Sequence, residues 1–519
     1  LKGEYNGTSE TVSGNTPKNL TVPRGSTVSF TATPATGYAV HSWTGLTASP
    51  STSTTATLAV TADTAVTVKF YQNTLNADDH PATQWLKLKE LIAAAPDGGT
   101  LKIKGSITAT NSGTNYGELI INKNLSIEGI GTNPTLDANK TTGSKPAHRI
   151  FKVASGKTLT LKNLTLKGGR VEAFGEPDGG AIDAEGTLTM TDCTVTDNRT
   201  EYGNGGGIYA AGALTMTSCT VSNNTVNDAD SLGGGGIYAG STLTMTNCTI
   251  KNNEATSSSG GGIYARSTLT MTNCTVAENT SKSSSSGAGS GGGIYAAGTL
   301  TMTGGTVRDN KAKSNGKGGG IYIDGTGSFT MTDVTVNSNT TEYGDGGGIY
   351  IAENGSFTMT GGAVGNNTTT NGDGGGVYVN GTFTMQGAAY ITPSTDNAKG
   401  KNEVYLYNGA MITLPAALTG TTPVARITVP YIKYLPTTQV LTGSKVNTEY
   451  TKFSVTPKSG TPLEYWGINN TGNLTQDKTS IFNAISNDQI KAAESSMTAT
   501  QIIDRKANLL GKLVLYKTS

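Results

Sequence analysis

Histidine and cysteine are scarce in this chain: three and four residues respectively out of 519. His41, His80 and His148 are scattered, so neither a Ser-His-Asp triad nor a metal-histidine cluster can be assembled from them. The cysteines have no metal or redox spacing. Charge is also thin, at 14% of residues, and balanced, with 38 basic against 37 acidic side chains. That excludes nucleic acid and an anionic membrane surface as the main partner, because both need a basic field. No apolar run approaches the ~20 residues that a membrane-spanning helix needs. The first residue is Leu1 rather than Met, as expected of a processed N-terminus, and no signal peptide is visible.

What is abundant is glycine, 70 residues, together with Thr, Ser and Asn, while 35% hydrophobic content still suffices for a core. The stretch "GGGIYAAGTLTMTGGTVRDN" (291–310) has close copies before and after it. Eight units align on an apolar residue, usually followed by Tyr (Ile182, Ile208, Ile237, Ile263, Ile294, Ile321, Ile349, Val377), and on a later Met (Met190, Met216, Met245, Met271, Met302, Met331, Met359, Met385). Successive Met residues stand 26, 29, 26, 31, 29, 28 and 26 apart, the variation falling in polar loops such as "TSKSSSSGAGS" (280–290). Within a unit the apolar period is two, as in Leu300, Met302 and then Val307, which is a strand signal. Three short strands per unit follow, each too short to bury its apolar side alone, so each must stack on its copies. The fold class is therefore all-β: a right-handed parallel β-helix, with a small N-terminal β-domain and a mixed C-terminal cap.

Stacking turns repeated letters into columns. Cys193, Cys219, Cys248 and Cys274 share one position with Gly305, Val334, Gly362 and Ala388, which marks them as buried thiols serving as small apolar residues. Asn198, Asn224, Asn253, Asn279, Asn310, Asn339 and Asn367 each lie three residues after a Val or Ile, where a turn Asn can take left-handed geometry and hydrogen-bond its copy. Tyr209, Tyr238, Tyr264, Tyr295, Tyr322, Tyr350 and Tyr378 follow the inward residue, so they point outward as an aromatic strip able to stack sugar rings or dock a partner, the alternative being that the rings stack on one another under the polar loops. A second outward column is Thr-x-Thr, from Thr189/Thr191 to Thr358/Thr360. The acidic residues Glu172, Glu176, Asp178, Glu201, Asp228, Asp230 and Glu254 fall on loops of the early units. Among them Glu176, Asp178 and Glu201 are the metal candidates, for calcium, although no cofactor is otherwise expected.

The Gly-Gly-x-Ile and Val-x-x-Asn pairing resembles the repeat of chlamydial polymorphic outer membrane proteins and similar bacterial surface β-helices, with Val or Ile where that motif usually has Phe. The resemblance covers roughly 97–410. Pectin-lyase-like proteins share the coil, and some are enzymes. "VPRGSTVSFTATPATGYAVHSWTG" (22–45) through "TADTAVTVKF" (61–70) is similar to the internalin-B-type repeat of secreted and wall-associated bacterial proteins. The division is then 1–71 for that domain, 72–96 for a linker and capping helix, 97–410 for the coil (regular at 179–392) and 411–519 for strands and helical stretches (Ile481–Leu510) that cap it. Trp85, Leu86, Leu88, Leu91 and Ile92 give the first cap its apolar face.

Both resemblances imply an extracellular location, at the cell surface or secreted. The function expected is a non-catalytic surface scaffold for adhesion, contact with a host or surface glycan or protein, or self-assembly into homo-oligomers or head-to-tail arrays. A polysaccharide lyase or glycoside hydrolase on the same coil is the alternative, and a Thr array for ice binding is the second.

Overall fold

In the computed structural model the described residues are 1–46, 52–110, 114–139, 148–172, 178–227, 231–282, 289–394, 400–459 and 464–476. The repeat quoted above shows how the chain coils. Ile294–Ala296, Thr299–Arg308 and Lys311–Lys313 are strands. Each lies parallel on the next turn: Ile294 on Ile321, Leu300 on Phe329, Met302 on Met331, Val307 on Val336 and Ala312 on Thr341. Gly291 starts the turn at φ +67°, and a Cβ on Gly292 would stand 2.3 Å from the carbonyl oxygen of Gly319, so neither place admits a side chain.

Repetition builds a 13-stranded sheet of Ile-Tyr-Ala strands, a 23-stranded sheet carrying the Leu-Thr-Met-Thr and Thr-Val strands, and an 8-stranded sheet. The last sheet is an addition to the three strands read from sequence. It follows the ladder Asn and buries Thr200, Val226, Ala255, Ser281, Ala312, Thr341 and Thr369. Two or three residues with one small inward side chain are too few for an alternating pattern to be seen. Inside, the Ile, Leu, Met and Val columns are almost wholly shielded from water, and late turns replace Leu by Phe329, Phe357 and Phe383, stacked 4.9 Å apart. Each such side chain contributes roughly 1.5–3 kcal/mol by burial.

The asparagines form a continuous buried ladder. Asn279 donates its backbone N–H and its Nδ2 to Asn310 Oδ1, both at 3.0 Å, and a second Nδ2 bond at 2.9 Å to the Ile250 carbonyl. The pattern recurs from Asn198 to Asn367 and ends on Asn402. The left-handed residue is not the ladder Asn itself but the one before it: Asp197, Asn223, Asn252, Glu278, Asp309, Ser338 and Asn366 all have φ between 53° and 59°. A side chain reaching the next turn needs ordinary backbone, so the sharp bend falls one residue earlier.

All four cysteines are buried free thiols. Their Sγ atoms point to the carbonyl two residues back, at 3.2 Å for Cys193 and 3.3 Å for Cys274. Turns about 4.8 Å apart hold neighbouring Cβ atoms farther than the ~3.8 Å usual across a disulfide. At the far end of this column the seat is taken by Ala389, not Ala388. Ala363 pairs with Tyr390, so Gly362 lies on buried Ala389 while Ala388 is exposed.

The helix Gln84–Ala94 closes the first turn with Trp85, Leu88, Leu91 and Ile92 buried, Leu86 half-buried, and Trp85 Nε1 donating to the Gly117 carbonyl at 2.7 Å. Thr74–Asn76, expected in the linker, already pairs with Gly99–Lys104 as the first strand. At the other end Val404–Leu406, Ala425–Thr428 and Phe453–Val455 continue the first sheet, so stacking runs past 410. The hairpin Trp466–Ile468/Leu474–Gln476 follows it. The helical stretches expected at 481–510 lie outside the described residues. The N-terminal domain is an antiparallel sheet (Lys2–Tyr5, Thr8–Thr11, Thr27–Thr31, Thr55–Ala59) with a Tyr38–Thr44/Thr67–Gln72 pair around Val40 and Trp43. Tyr71 ties it to the coil by donating to the Thr100 carbonyl at 3.0 Å.

Replacing Asn279 by Leu removes the Nδ2 bonds to the Ile250 carbonyl and to Asn310 Oδ1, and takes from the Asn253 backbone N–H and Nδ2 their shared acceptor, all in a dry interior. At about 1–3 kcal/mol per orphaned group, a loss of roughly 3 kcal/mol or more is expected. Urea unfolding followed by far-UV dichroism measures it, and an unchanged midpoint contradicts the ladder's role.

Candidate functional surface

The tyrosines leave the coil on the outward side of the first sheet, but they do not form an open strip. Consecutive rings from Tyr209 to Tyr378 are stacked nearly parallel, with centroids 4.6–5.3 Å apart. Tyr238, Tyr264, Tyr350 and Tyr378 are buried and Tyr209, Tyr295 and Tyr322 half-buried. Inside the column both faces of each ring are spent on its neighbours, so the expected stacking of sugar rings on these faces is not available there; only edges remain. Burial pushes the phenols up, to about 12 for Tyr209 and Tyr264. Lys317 Nζ lies 4.7 Å from the Tyr350 ring centre and donates to the Tyr350 hydroxyl at 3.2 Å.

The column is longer than the repeat motif suggested. Tyr405 stacks on Tyr378 at 5.3 Å, and at the other end Asp183 and then Lys152 occupy the tyrosine register. Tyr405 was hidden because its turn reads "KNEVYL" (401–406) instead of the glycine triplet. The surviving signal was the apolar-Tyr-apolar triplet Val404–Leu406.

The threonine side of the large sheet is the open one. One outward column runs in register without a break from Thr160 through Thr189, Thr215, Thr244, Thr270, Thr301, Thr330, Thr358, Thr384 and Thr413 to Thr442. Beside it stand Thr191, Thr217, Thr246, Thr272, Thr303 and Thr332, and then Thr194 through Thr335. These side chains are half-buried or exposed, and no charge interrupts the columns. Spacings of about 4.8 Å along the axis and about 6.7 Å along a strand make a two-dimensional lattice of hydroxyls and methyls. Branching at Cβ keeps each side chain in few rotamers.

The acidic edge is differently committed. Asp178 accepts from the Asn204 backbone N–H at 2.6 Å and from its Nδ2 at 3.0 Å. Glu201 is paired with Arg199 at 2.5 Å and Arg170 at 3.2 Å. Burial opposes its ionisation, but the bonds from Arg199 and Asn227 and the nearby guanidinium charges hold it below the usual carboxylate range. Two arginines thus occupy the place expected for a cation at Glu201. Glu176, Asp228 and Asp230 lie outside the described residues, and among the described residues no group of three His, Cys, Asp or Glu side chains is arranged to hold a metal ion. A concavity of about 430 Å³, lined by His41, Lys69, Phe70, Tyr71, Lys87 and Glu90 among others, lies where the small domain meets the capping helix.

Comparison with known proteins matches residues 97–255 and 218–395 to the family described as right handed beta helix region, together more than half of the chain. The chain belongs to the right-handed β-helix family. In this β-helix protein, residues 4–74 match the divergent InlB B-repeat domain. No curated protein matches the chain. The crystal structure of the Dettilon tailspike protein, gp208, is 10% identical over 73% of this chain and 70% of that one, with a TM-score of 0.34, too loose a likeness to carry an argument.

Two buried carboxylates in the β-helix escaped the sequence reading. Asp183 stands 2.6 Å from Arg149, both side chains nearly inaccessible, and burial pushes it up to about 6 against the pull of the guanidinium. Glu403 is pushed up to about 7 by burial, although its Oε1 accepts from Gly374 and Gly400 N–H at 3.2 and 3.0 Å. A position relative to the coil, not a local motif, buries each of them.

Two measurements follow from this geometry. Replacing Tyr295 by Thr removes two ring contacts worth about 0.5–1.5 kcal/mol each, so thermal unfolding should come earlier with the coil otherwise intact; an unchanged midpoint refutes the stack as a stabiliser. For Glu403 the folded form binds its proton more tightly than the unfolded form, whose value is 4.5. Its contribution is therefore fully present below pH 4.5 and is lost as pH rises to about 7. Urea titrations between pH 4.5 and 8 should show this decline shallower in Glu403→Gln than in the parent; identical pH profiles contradict it.

Proposed function

We propose that this chain is an extracellular, non-catalytic surface protein whose coil is a rigid rod displaying a long side to a glycan, a protein or other copies of itself. The observation that carries the reading is the unbroken threonine column from Thr160 to Thr442, widened into a lattice between Thr191 and Thr335 by two shorter columns beside it. A flat, pre-ordered array of weak donors and acceptors suits a partner that is itself extended and repetitive, where many small contacts add by avidity. A neutral polysaccharide chain has that chemistry. The internalin-B-type domain supports the extracellular assignment. The same array is the observation favouring ice as a crystalline partner.

Replacing Thr244, Thr270 and Thr301 by Lys should leave the dichroism of the coil unchanged and weaken binding to a neutral glycan array, or to cells, by roughly tenfold or more. Equal binding by parent and variant moves the contact elsewhere. Release of reducing ends or unsaturated uronates by the parent protein overturns the non-catalytic reading, and thermal hysteresis in freezing solutions selects ice.

A further inference from the structure

The balanced charge of the chain is not evenly spread. Residues 280–320 hold Lys282, Arg308, Lys311, Lys313 and Lys317 against Asp309 alone. Asp309 is already paired with Arg308, at 2.6 Å, and Lys317 is turned to the Tyr350 ring and hydroxyl. Lys282, Lys311 and Lys313 remain. They lie on the eight-stranded sheet, Lys282 directly on Lys313 in the parallel register and Lys311 two residues before it on the same strand. Lys282 and Lys311 are exposed and Lys313 is half-buried. None of the three makes an ion pair among the described residues.

Like charges directly opposite one another destabilise a sheet. The early turns of the coil handle basic residues differently. Lys102 lies on Glu128 and Glu128 on Lys162, while Lys167 lies on Asp137 and pairs with it at 3.3 Å. Where Arg170 lies on Arg199, Glu201 bridges the two, at 3.2 and 2.5 Å. Edge protection, another use of a strand lysine, does not apply, because both lysine strands are inside their sheet. An unneutralised stack in such a place is a strain that a bound anion relieves.

Carboxylates bound the lysines along the coil axis. Glu254 stands one turn before Lys282, in register with Thr280. Glu342 lies one turn beyond Lys313, its Oε2 accepting from the Ser314 N–H at 2.9 Å. The positive strip is therefore two turns wide. A nucleic-acid duplex or an anionic lipid plane, being broader, would set its phosphates against Glu254 and Glu342 as well. Single-stranded nucleic acid needs open aromatic faces, and the tyrosine rings of these turns are taken by one another. A thin acidic chain fits the strip. Lysine suits such a chain, because its compact charge rides on a flexible stem and demands no fixed fork geometry.

We propose that Lys282, Lys311 and Lys313 bind the negative groups of an acidic polysaccharide, its carboxylates or its sulfate esters. The strip lies on another sheet than the threonine lattice and does not rest on it.

Binding of the full chain to immobilised heparin and to polygalacturonate tests it. At low salt the parent should bind at least one of them, and about 1 M salt, which screens charges beyond about 3 Å, should release it. Retention on heparin alone assigns sulfate esters to the strip, and on polygalacturonate alone carboxylates. Lys282→Gln with Lys311→Gln and Lys313→Gln should weaken that binding roughly tenfold or more with unchanged far-UV dichroism. The three Lys→Arg replacements should keep it, and Lys102→Gln with Lys162→Gln should leave it unchanged. Failure of the parent to bind either polymer overturns the proposal, and so does equal binding by the triple Gln variant. Tighter binding of duplex DNA or of phosphatidylserine vesicles than of either polymer, lost in that variant, gives the strip to another partner and overturns it too.

Discussion

Every residue of the coil rests on its counterpart one turn away, at about 4.8 Å, and the rest of the structure depends on that register. A slip of one residue would turn each inward Ile, Leu, Met and Val outward. The buried asparagines guard against it in a way apolar packing cannot. An Asn displaced from Asn310 Oδ1 or the Ile250 carbonyl would leave dry, unpaired polar groups, whereas a displaced Leu could still find grease. The same register produces the Tyr stack and the Phe stack, since identical side chains at one position have little choice but to pile face to face. The Cys column follows the same register, with all four thiols free and buried.

Much of this was legible in the sequence. Period-two alternation inside a unit and a recurring Ile, Met and Asn across units are direct projections of the stacked columns. What escaped reading lies where the letter pattern lapses while stacking persists. Tyr405 and Asn402 continue their ladders although the glycine triplet is gone. Ala389 replaces Ala388 because one extra residue stands between Met385 and Tyr390, and Gly387, at φ +61°, lies within that interval. The short fourth strand carries too few residues to display any period. For the Tyr strip, alternation tells which way a side chain leaves the strand and leaves open whether its ring meets a partner or its own copies; centroids 4.6–5.3 Å apart show that the rings meet their copies.

Surface chemistry follows from the same geometry. A coil that repeats one turn presents the same outward residue again and again, so its natural product is a lattice instead of a cleft. Threonine is what this chain presents on the large sheet, uncharged and branched at Cβ, in a column from Thr160 to Thr442. The acidic edge, by contrast, is consumed internally: Glu201 by Arg199 and Arg170, Asp178 by Asn204. The buried carboxylates Asp183 and Glu403 tie the coil's stability to pH, because burial raises both.

Spin labels read the register of the threonine lattice directly. The four native thiols are buried and should stay unlabelled, so cysteines placed at Thr270 and Thr301 would carry the labels alone. These positions lie side by side on adjacent turns, about 4.8 Å apart at the backbone. Strong dipolar broadening of the electron paramagnetic resonance spectrum is predicted for this pair, weaker broadening for Thr244 with Thr301, and rapid labelling of all three sites. Unbroadened spectra, or a site that resists labelling because it faces inward, would contradict the stacked register.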